Sequence, residues 1–288
     1  MCMFWQRSRP TLLLETDAAR LVLFERGRAV RWGSIPLPEW TATPPDTLPP
    51  AEPIAAALRT LWAHHRAPTR GVIVASAWLP ADTRLVPWSP DEPPPTEQAI
   101  AQRFWAGQAV RVGVHLLTRH AVPHLFAMAS PQNMVAFIET VLDMAGLHMA
   151  ALEPKPLALI RGIGAPHCFV LDVGRTMATF TFVQDALPLV SATWQLTAPL
   201  LRTHGARLTR LAEHIHTITQ RVAATYGKEA LACPTYVVGA LATSGELHDL
   251  LTTVLGLSLA PLPDDTPFPT SLPPHLYMAA VGLARKRI

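Results

Sequence analysis

Residues 11–35, TLLLETDAARLVLFERGRAVRWGSI, carry leucines at period-two spacing within short segments: Leu12 and Leu14, then Leu21 and Leu23. That spacing predicts three short strands, with Glu25-Arg26-Gly27-Arg28 as a polar turn in which Gly27 supplies positive φ. A proline-rich stretch, PLPEWTATPPDTLPPAEP, interrupts either lattice and reads as a linker or wrapping loop. IAAALRTLWAHH then places Ile54, Leu58, Leu61 and Trp62 on one helical face, and the continuous apolar run GVIVASAWL predicts a strand covered on both sides. A second proline cluster, PWSPDEPPPT, precedes a helix expected over 96–108 with Thr96 as its cap. VRVGVHLL and VPHLFAMAS read as strands. SPQNMVAFIETVLDMAGL reads as a helix capped by Ser130, with Pro131 in its first turn and Gly146 closing it. HMAALEP is a strand running into a helix, KPLALIRGI.

The second half begins again with strands. HCFVLDVGRTMATFTFVQDALPLVSATWQL predicts three antiparallel strands with turns near Gly174-Arg175 and Gln184-Asp185. A long helical stretch follows over about 197–226, interrupted at His204-Gly205, then a buried strand CPTYVVG. GELHDLLTTVLG is a helix presenting Leu247, Leu250, Leu251 and Val254, LSLAPL a short strand, and PPHLYMAAVGLARKR a closing helix whose basic end suits the helix dipole. Each half thus runs from consecutive strands into helix–strand–helix, the order of an internally duplicated α/β chain with two lobes.

Composition narrows the function classes. Hydrophobic residues make up 49% of the 288 and charged residues 16%, which fits either an apolar partner patch or simply an Ala- and Leu-rich interior. Net charge is +3, with scattered arginines and no basic stripe interleaved with aromatics, so nucleic-acid binding is not expected. The three cysteines, Cys2, Cys168 and Cys233, are far apart and predict no disulfide framework. No apolar run approaches the roughly 20 residues of a membrane span, and the opening MCMFWQRSRP lacks a signal-peptide core. Phe4 and Trp5 beside Arg7 and Arg9 read either as a membrane-touching tip or as a frayed terminus.

Common chemistries are not expected. His214 and His216 stand two apart on a helix and face apart, while His64-His65, His115, His120 and His124 lack Cys or acidic partners at ligand spacing. No P-loop or G-x-S-x-G occurs, and Ser76 and Ser130 lack nucleophile surroundings. No catalytic and no metal-ligating residue is predicted.

Five segments in order resemble the PilM family, actin-like proteins of type IV pilus assembly, and its shorter relatives in mannose-sensitive pilus and competence systems. They are the opening strands over 11–35, FAMASPQNMVAFIETVLDMAGLHMAALEPKPLALI, LDVGRTMATFTFVQDALPLV, YVVGALATSGELHDLLTTVLGLSLAPL and YMAAVGLARKR. The resemblance spans almost the whole chain. It implies an α/β, actin-like (ribonuclease H-like) duplicated two-lobed fold, with an inserted α+β subdomain and a reduced second lobe. The expected divisions are a tail 1–10, a first lobe 11–76, an inserted partner-binding subdomain 77–150, a return helix 151–166, and a second lobe with closing helix 167–288.

In that family ATP and Mg²⁺ are gripped by a strand–turn–strand loop from each lobe and a Gly-rich turn under the adenosine, because backbone N–H groups need Gly to approach a phosphate. The first loop here, Glu15-Thr16-Asp17-Ala18-Ala19-Arg20, has no Gly and is shorter than the family's; Glu15 and Asp17 read as a solvated hairpin turn. The second, Asp172-Val173-Gly174 followed by Thr176, keeps the family's pattern but has Arg175 and Met177 in place of small residues. Arg175 is expected to attract phosphate or to pair with Asp172 across an empty cleft. The adenosine turn becomes Gly239-Ala240-Leu241-Ala242, with Leu241 intruding, and the helical subdomain over the adenine is missing. Nucleotide binding is therefore expected to be weak or absent, with ATP and Mg as cofactors only if the eroded site still binds.

The resemblance implies a cytoplasmic scaffold held at the inner membrane by the N-terminal peptide of a PilN-like bitopic membrane protein, with a pilus assembly ATPase complex as a further partner. Phe104 and Trp105 are the candidate anchors in the inserted subdomain; core packing of their helix is the other reading. Two alternatives remain: an active ATPase or small-molecule kinase of the same superfold, and the cytoplasmic part of a GspL-like type II secretion component, although such proteins continue into a membrane helix.

Overall fold

The opening leucine pattern folds as expected. In the computed structural model, which describes residues 8–38, 48–80, 82–89, 91–117, 124–196, 204–264 and 268–286, β1 (Arg9–Leu14), β2 (Ala18–Glu25) and β3 (Arg28–Pro36) form an antiparallel meander. Arg26 and Gly27 turn the second hairpin at φ 52° and 79°, the paired left-handed geometry that matches strand twist. Helix α1 (Ala51–His65) crosses back so that β4 (Arg70–Ser76) lies parallel to β1. The chain then leaves the lobe for a small sheet. Its elements are β5 (Asp82–Pro87), α2 (Glu97–Phe104), β6 (Val110–Leu117) and β7 (His124–Pro131), with strand order β5-β7-β6. Helix α3 (Gln132–Met144), β8 (His148–Pro154) and α4 (Lys155–Ile163) return to the first lobe, completing a sheet of order β3-β2-β1-β4-β8.

The second lobe repeats the first. Strands β9 (Cys168–Val173), β10 (Met177–Gln184) and β11 (Leu187–Gln195) form a meander turned at Asp185 and Ala186. Helix α5 (His204–Tyr226) leads to β12 (Thr235–Val238), which lies parallel to β9 as β4 lies to β1. The order β11-β10-β9-β12 reproduces β3-β2-β1-β4. Helix α6 (Gly245–Asp249) runs on into a π-helical turn, and α7 (Pro274–Ala284) closes the chain.

Three apolar cores explain the patterning. Leu12, Leu14, Leu21, Val72 and Val74 meet α1 and α3 on one face of the first sheet. Leu13, Val22, Phe24, Ile73 and Ala75 meet α4 and α7 on the other, together with Cys168, Val170, Val183 and Val238 of the second lobe. Hence β1 is buried from Pro10 to Leu14 and carries three successive leucines, as a strand covered on both faces requires. The outer face of the second sheet packs on α5 and α6 through Phe169, Phe180 and Ile215. Between the lobes α4 and α7 cross at Gly162 and Gly282, whose missing side chains let the two backbones touch.

Several expected boundaries move. The inserted subdomain ends near Pro131 rather than 150, because α3 buries Val135, Ile138, Val141 and Leu142 in the first lobe. Ser130 does not cap α3; it lies within β7 and its hydroxyl donates to the Pro80 carbonyl, while Pro131 holds the cap position. Thr96 does cap α2, accepting from the Ala99 N–H, but the helix stops at Phe104. The expected LSLAPL strand reduces to a single bridge between Thr235 and Leu259. Residues 1–7, 39–47 of the first proline stretch, His120 and 197–203 lie outside the described residues. Among the described residues no helix is long and apolar enough to cross a membrane.

Candidate functional site

The two hairpin turns expected to hold phosphate face each other between the lobes. Both are closed by the same short bond: Glu15 N–H donates to Ala18 O and Gly174 N–H to Met177 O, each at 2.9 Å. The duplication therefore extends to the turns, with Glu15 and Gly174 in equivalent places. Each turn hangs from a strand that is central in its sheet and buried, β1 or β9, so its position is fixed by packing.

What fills the space between them is protein. Lys155, the first residue of α4, extends its ammonium between the lobes and donates to Glu15 Oε1 at 2.6 Å and to Asp172 at 2.7 and 2.9 Å. Its side chain is 7% exposed, those of Glu15 and Asp172 9% and 11%. Arg20, on the strand leaving the first turn, pairs with the other Glu15 oxygen and is equally buried. Burial pulls the Arg20 pKa below the usual guanidinium value; neighbouring Tyr277 and Asp172 oppose that pull. Two carboxylates and two cations thus form a closed, formally neutral set, the condition under which buried charge is tolerated.

Two further contacts join the turns. The Thr16 and Thr176 hydroxyls hydrogen-bond across the cleft, and the Arg175 guanidinium lies 3.7 Å from Asp17. Two expectations are corrected here. Glu15 is not on a solvated turn, because the lobe interface buries it around Lys155. Arg175 does not pair with Asp172, whose oxygens are taken by Lys155; it pairs with Asp17 at the rim.

Gly239 adopts φ +99°, and a Cβ there would fall 2.5 Å from Val173 O and 2.8 Å from Asp172 Oδ1. The adenosine-side turn therefore presses on the second hairpin, fastened further by Leu241 N–H to Val173 O at 3.0 Å. Beside it Val173, Leu196, Leu208, Leu211, Leu241 and Leu247 enclose about 20 Å³, room for about one water. Between β11 and β12 the described elements are α5 and a 3₁₀ turn at Lys228–Ala232.

Lys155 was missed in the sequence, where it stood only as the first letter of a helix. A signal existed. It is one of three lysines in the chain, set at a helix N-terminus, where the backbone dipole disfavours a cation. A lysine tolerated there needs carboxylates brought from elsewhere.

The anchor residues of the inserted subdomain part company. Trp105 is 3% exposed in the small core with Ile100, Val112, Ala127 and Ala129. Its indole N–H donates to Asp82 at 2.8 Å. It is core, not an exposed anchor; Phe104 is half-buried against the same cluster. A different concavity, of about 400 Å³, opens where the small sheet meets the first lobe. Leu79, Val112, Met128, Val135, Met149 and Leu152 line it, with the ion-paired Arg111 and Glu139 among its polar residues.

No protein-family model matches the chain, and no curated protein does. Solved structures do. A chain of the PilM–PilN type IV pilus biogenesis complex is similar with TM-score 0.68 and 21% identity over 97% of this chain and 98% of that one. The cytoplasmic domain of EpsL, an inner membrane component of the type II secretion system of Vibrio cholerae, gives 0.56 and 13% over 98% and 97%. A Bacteroides thetaiotaomicron protein with actin-like ATPase fold and unknown function gives 0.51 and 9% over 99% and 100%. With its two repeated lobes, crossed connecting helices and facing hairpins, the chain has the actin-like fold.

Proposed function

We propose that this chain is a non-catalytic scaffold of pilus or secretion-system assembly, with its nucleotide cleft closed by its own side chains. The observation that carries the reading is Lys155, whose ammonium sits between Glu15 and Asp172 where the actin-like fold would place phosphate and magnesium. A polyanion entering there would have to break a buried, balanced ion-pair set, and displacing one member leaves unpaired charge costing about 3–5 kcal/mol. Leu241 and its neighbours leave no room for a base. On this reading ATP and Mg are not cofactors, and the scaffold acts in the cytoplasm, peripheral to the inner membrane through its partner.

The partner on this reading is a PilN-like bitopic membrane protein, whose short N-terminal peptide docks in the groove between the inserted subdomain and the first lobe. Support comes from the likeness to a chain of a PilM–PilN complex and from the groove's mixed lining, in which Leu79, Met128, Met149 and Leu152 stand beside the charged Glu97, Arg111 and Glu139. The likeness to the EpsL domain supports the same scaffold class in a secretion apparatus. Calorimetry with Mg-ATP is expected to show no binding at micromolar nucleotide; micromolar affinity, or turnover abolished by Asp172→Ala, would overturn the eroded-cleft reading. Met128→Glu or Met149→Glu, both half-buried at the groove, is expected to abolish capture of the N-terminal peptide of a bitopic membrane protein encoded nearby. Indifference of the intact protein to that peptide at high micromolar concentration would remove the docking reading.

A further inference from the structure

We propose that Lys155 is a resident cation, a tethered replacement for a bound metal ion that fastens the two lobes together in the absence of any ligand. The inference rests on the eroded-cleft reading and deepens it. Glu15 belongs to the first lobe and Asp172 to the second, and their oxygens converge on one point: the Lys155 ammonium at 2.6 Å from Glu15 and 2.7 and 2.9 Å from Asp172. Two ionised carboxylates of opposite lobes repel in a buried place unless a cation lies between them or one of them takes up a proton. Lys155 supplies that cation from α4, the segment linking the lobes, so closure needs nothing from solution. The Thr16–Thr176 hydrogen bond and the Arg175–Asp17 pair depend on the same closure, because each spans the lobes.

Removing the ammonium while keeping both carboxylates should then recreate a cation site. Three oxygens converge at 2.6, 2.7 and 2.9 Å from the ammonium, so each must move in by no more than a few tenths of an ångström to meet a calcium-sized ion, which binds oxygen at about 2.3–2.6 Å, and water can complete the shell. The experiment compares wild type, Lys155→Ala and the charge-balanced Lys155→Ala/Asp172→Asn in thermal melts and calorimetry with Mn²⁺ and no nucleotide, with the paramagnetic resonance signal of bound Mn²⁺ as a direct readout. Wild type is expected to ignore Mn²⁺. Lys155→Ala is expected to melt lower, to recover with Mn²⁺ and to bind one ion; the double variant is expected to fold without it and to show no response. If Lys155→Ala folds only when Mn²⁺ is present, or fails to fold while the double variant succeeds, the charge role stands. The proposal is overturned if wild type takes Mn²⁺ into the cleft, if Lys155→Ala melts like wild type or ignores Mn²⁺, or if both variants fail alike, since Lys155 would then matter for packing. The eroded-cleft reading is tested separately by Mg-ATP on wild type, so either can fail while the other is read.

Discussion

Gly282→Ala is the most severe small change the fold admits away from the cleft. Gly282 lies on α7 where it crosses α4, and a Cβ there would fall 1.7 Å from Ala158 O, 2.7 Å from its carbon and 2.9 Å from Gly162 N. Ordinary contact begins near 3.4 Å, and every atom met is helix backbone, so no side chain can swing away. The crossing must open by roughly 1.5 Å or shear. Ala158, Met278, Ala279 and Ala280 are fully buried at the crossing and would lose contacts together. Overpacking a tight site costs about 1–3 kcal/mol and occasionally more. Against it stands a gain of about 1 kcal/mol from replacing helical Gly by Ala. The clash wins, because it falls on two rigid backbones and so belongs at the upper end of that range, and a net loss of about 2 kcal/mol is expected. At about 2–4 °C per kcal/mol for a chain somewhat under this size, the midpoint should fall by roughly 4–8 °C. Calorimetric melting measures it, with Gly205→Ala as control: Gly205 is in α5 with nothing within 4 Å of its would-be Cβ, so that variant should hold or gain. An unchanged or raised midpoint for Gly282→Ala would show that the helices do not touch there.

Three further outcomes follow from the same structure. Trp105→Ala should lower the midpoint, since truncating a buried aromatic costs about 3–5 kcal/mol and Asp82 also loses its indole donor; an unaltered melt would return Trp105 to the surface. Burial pushes the Cys168 thiol up to about 12, so at pH 8 only on the order of one thiol in 10⁴ is ionised, and a thiol reagent should leave Cys168 unmodified in the folded protein; rapid modification would contradict its burial. His65, His214 and His275 are all held below the usual imidazole pKa, in each case first by desolvation. The unfolded chain therefore binds more protons near and below pH 6.5, and stability should fall as pH drops from 7.5 to 5.5. His275→Asn should flatten that fall in melts across the range; an identical slope would remove His275 from the cause.

The lobes were legible because their signals are local. Period-two leucines, the Arg26-Gly27 turn and the Gly146 helix end, at φ +73°, are set by backbone geometry within a few residues. The repeated strand order was legible too, because each half opens on consecutive short strands before its first helix. The edge of the insertion was not. Whether α3 belongs to the small sheet or to the first lobe depends on which surface receives Val135 and Ile138, a choice made by contacts with α1 rather than by α3's own pattern. Ser130 failed for a related reason: its hydroxyl is claimed by Pro80, fifty residues back along the chain, so a sound local capping motif was overridden by a tertiary partner.

The cleft was half legible, and the missing half is charge. Absent glycines and an intruding Leu241 can be read in the sequence because they are statements about backbone access and volume. The partner of a carboxylate cannot. Glu15 and Asp172 are 157 positions apart, and each alone looks like an ordinary turn residue; only the folded chain brings Lys155 between them. Buried charge imposes the constraint that ties them. With Arg20 included, the four side chains sum to zero, so none can be lost alone without stranding its partner in a low-dielectric interior. The cleft is therefore held as a set of four residues drawn from β2, α4, β9 and the turn after β1, and a change at any one position should be tolerated best with a compensating change at another.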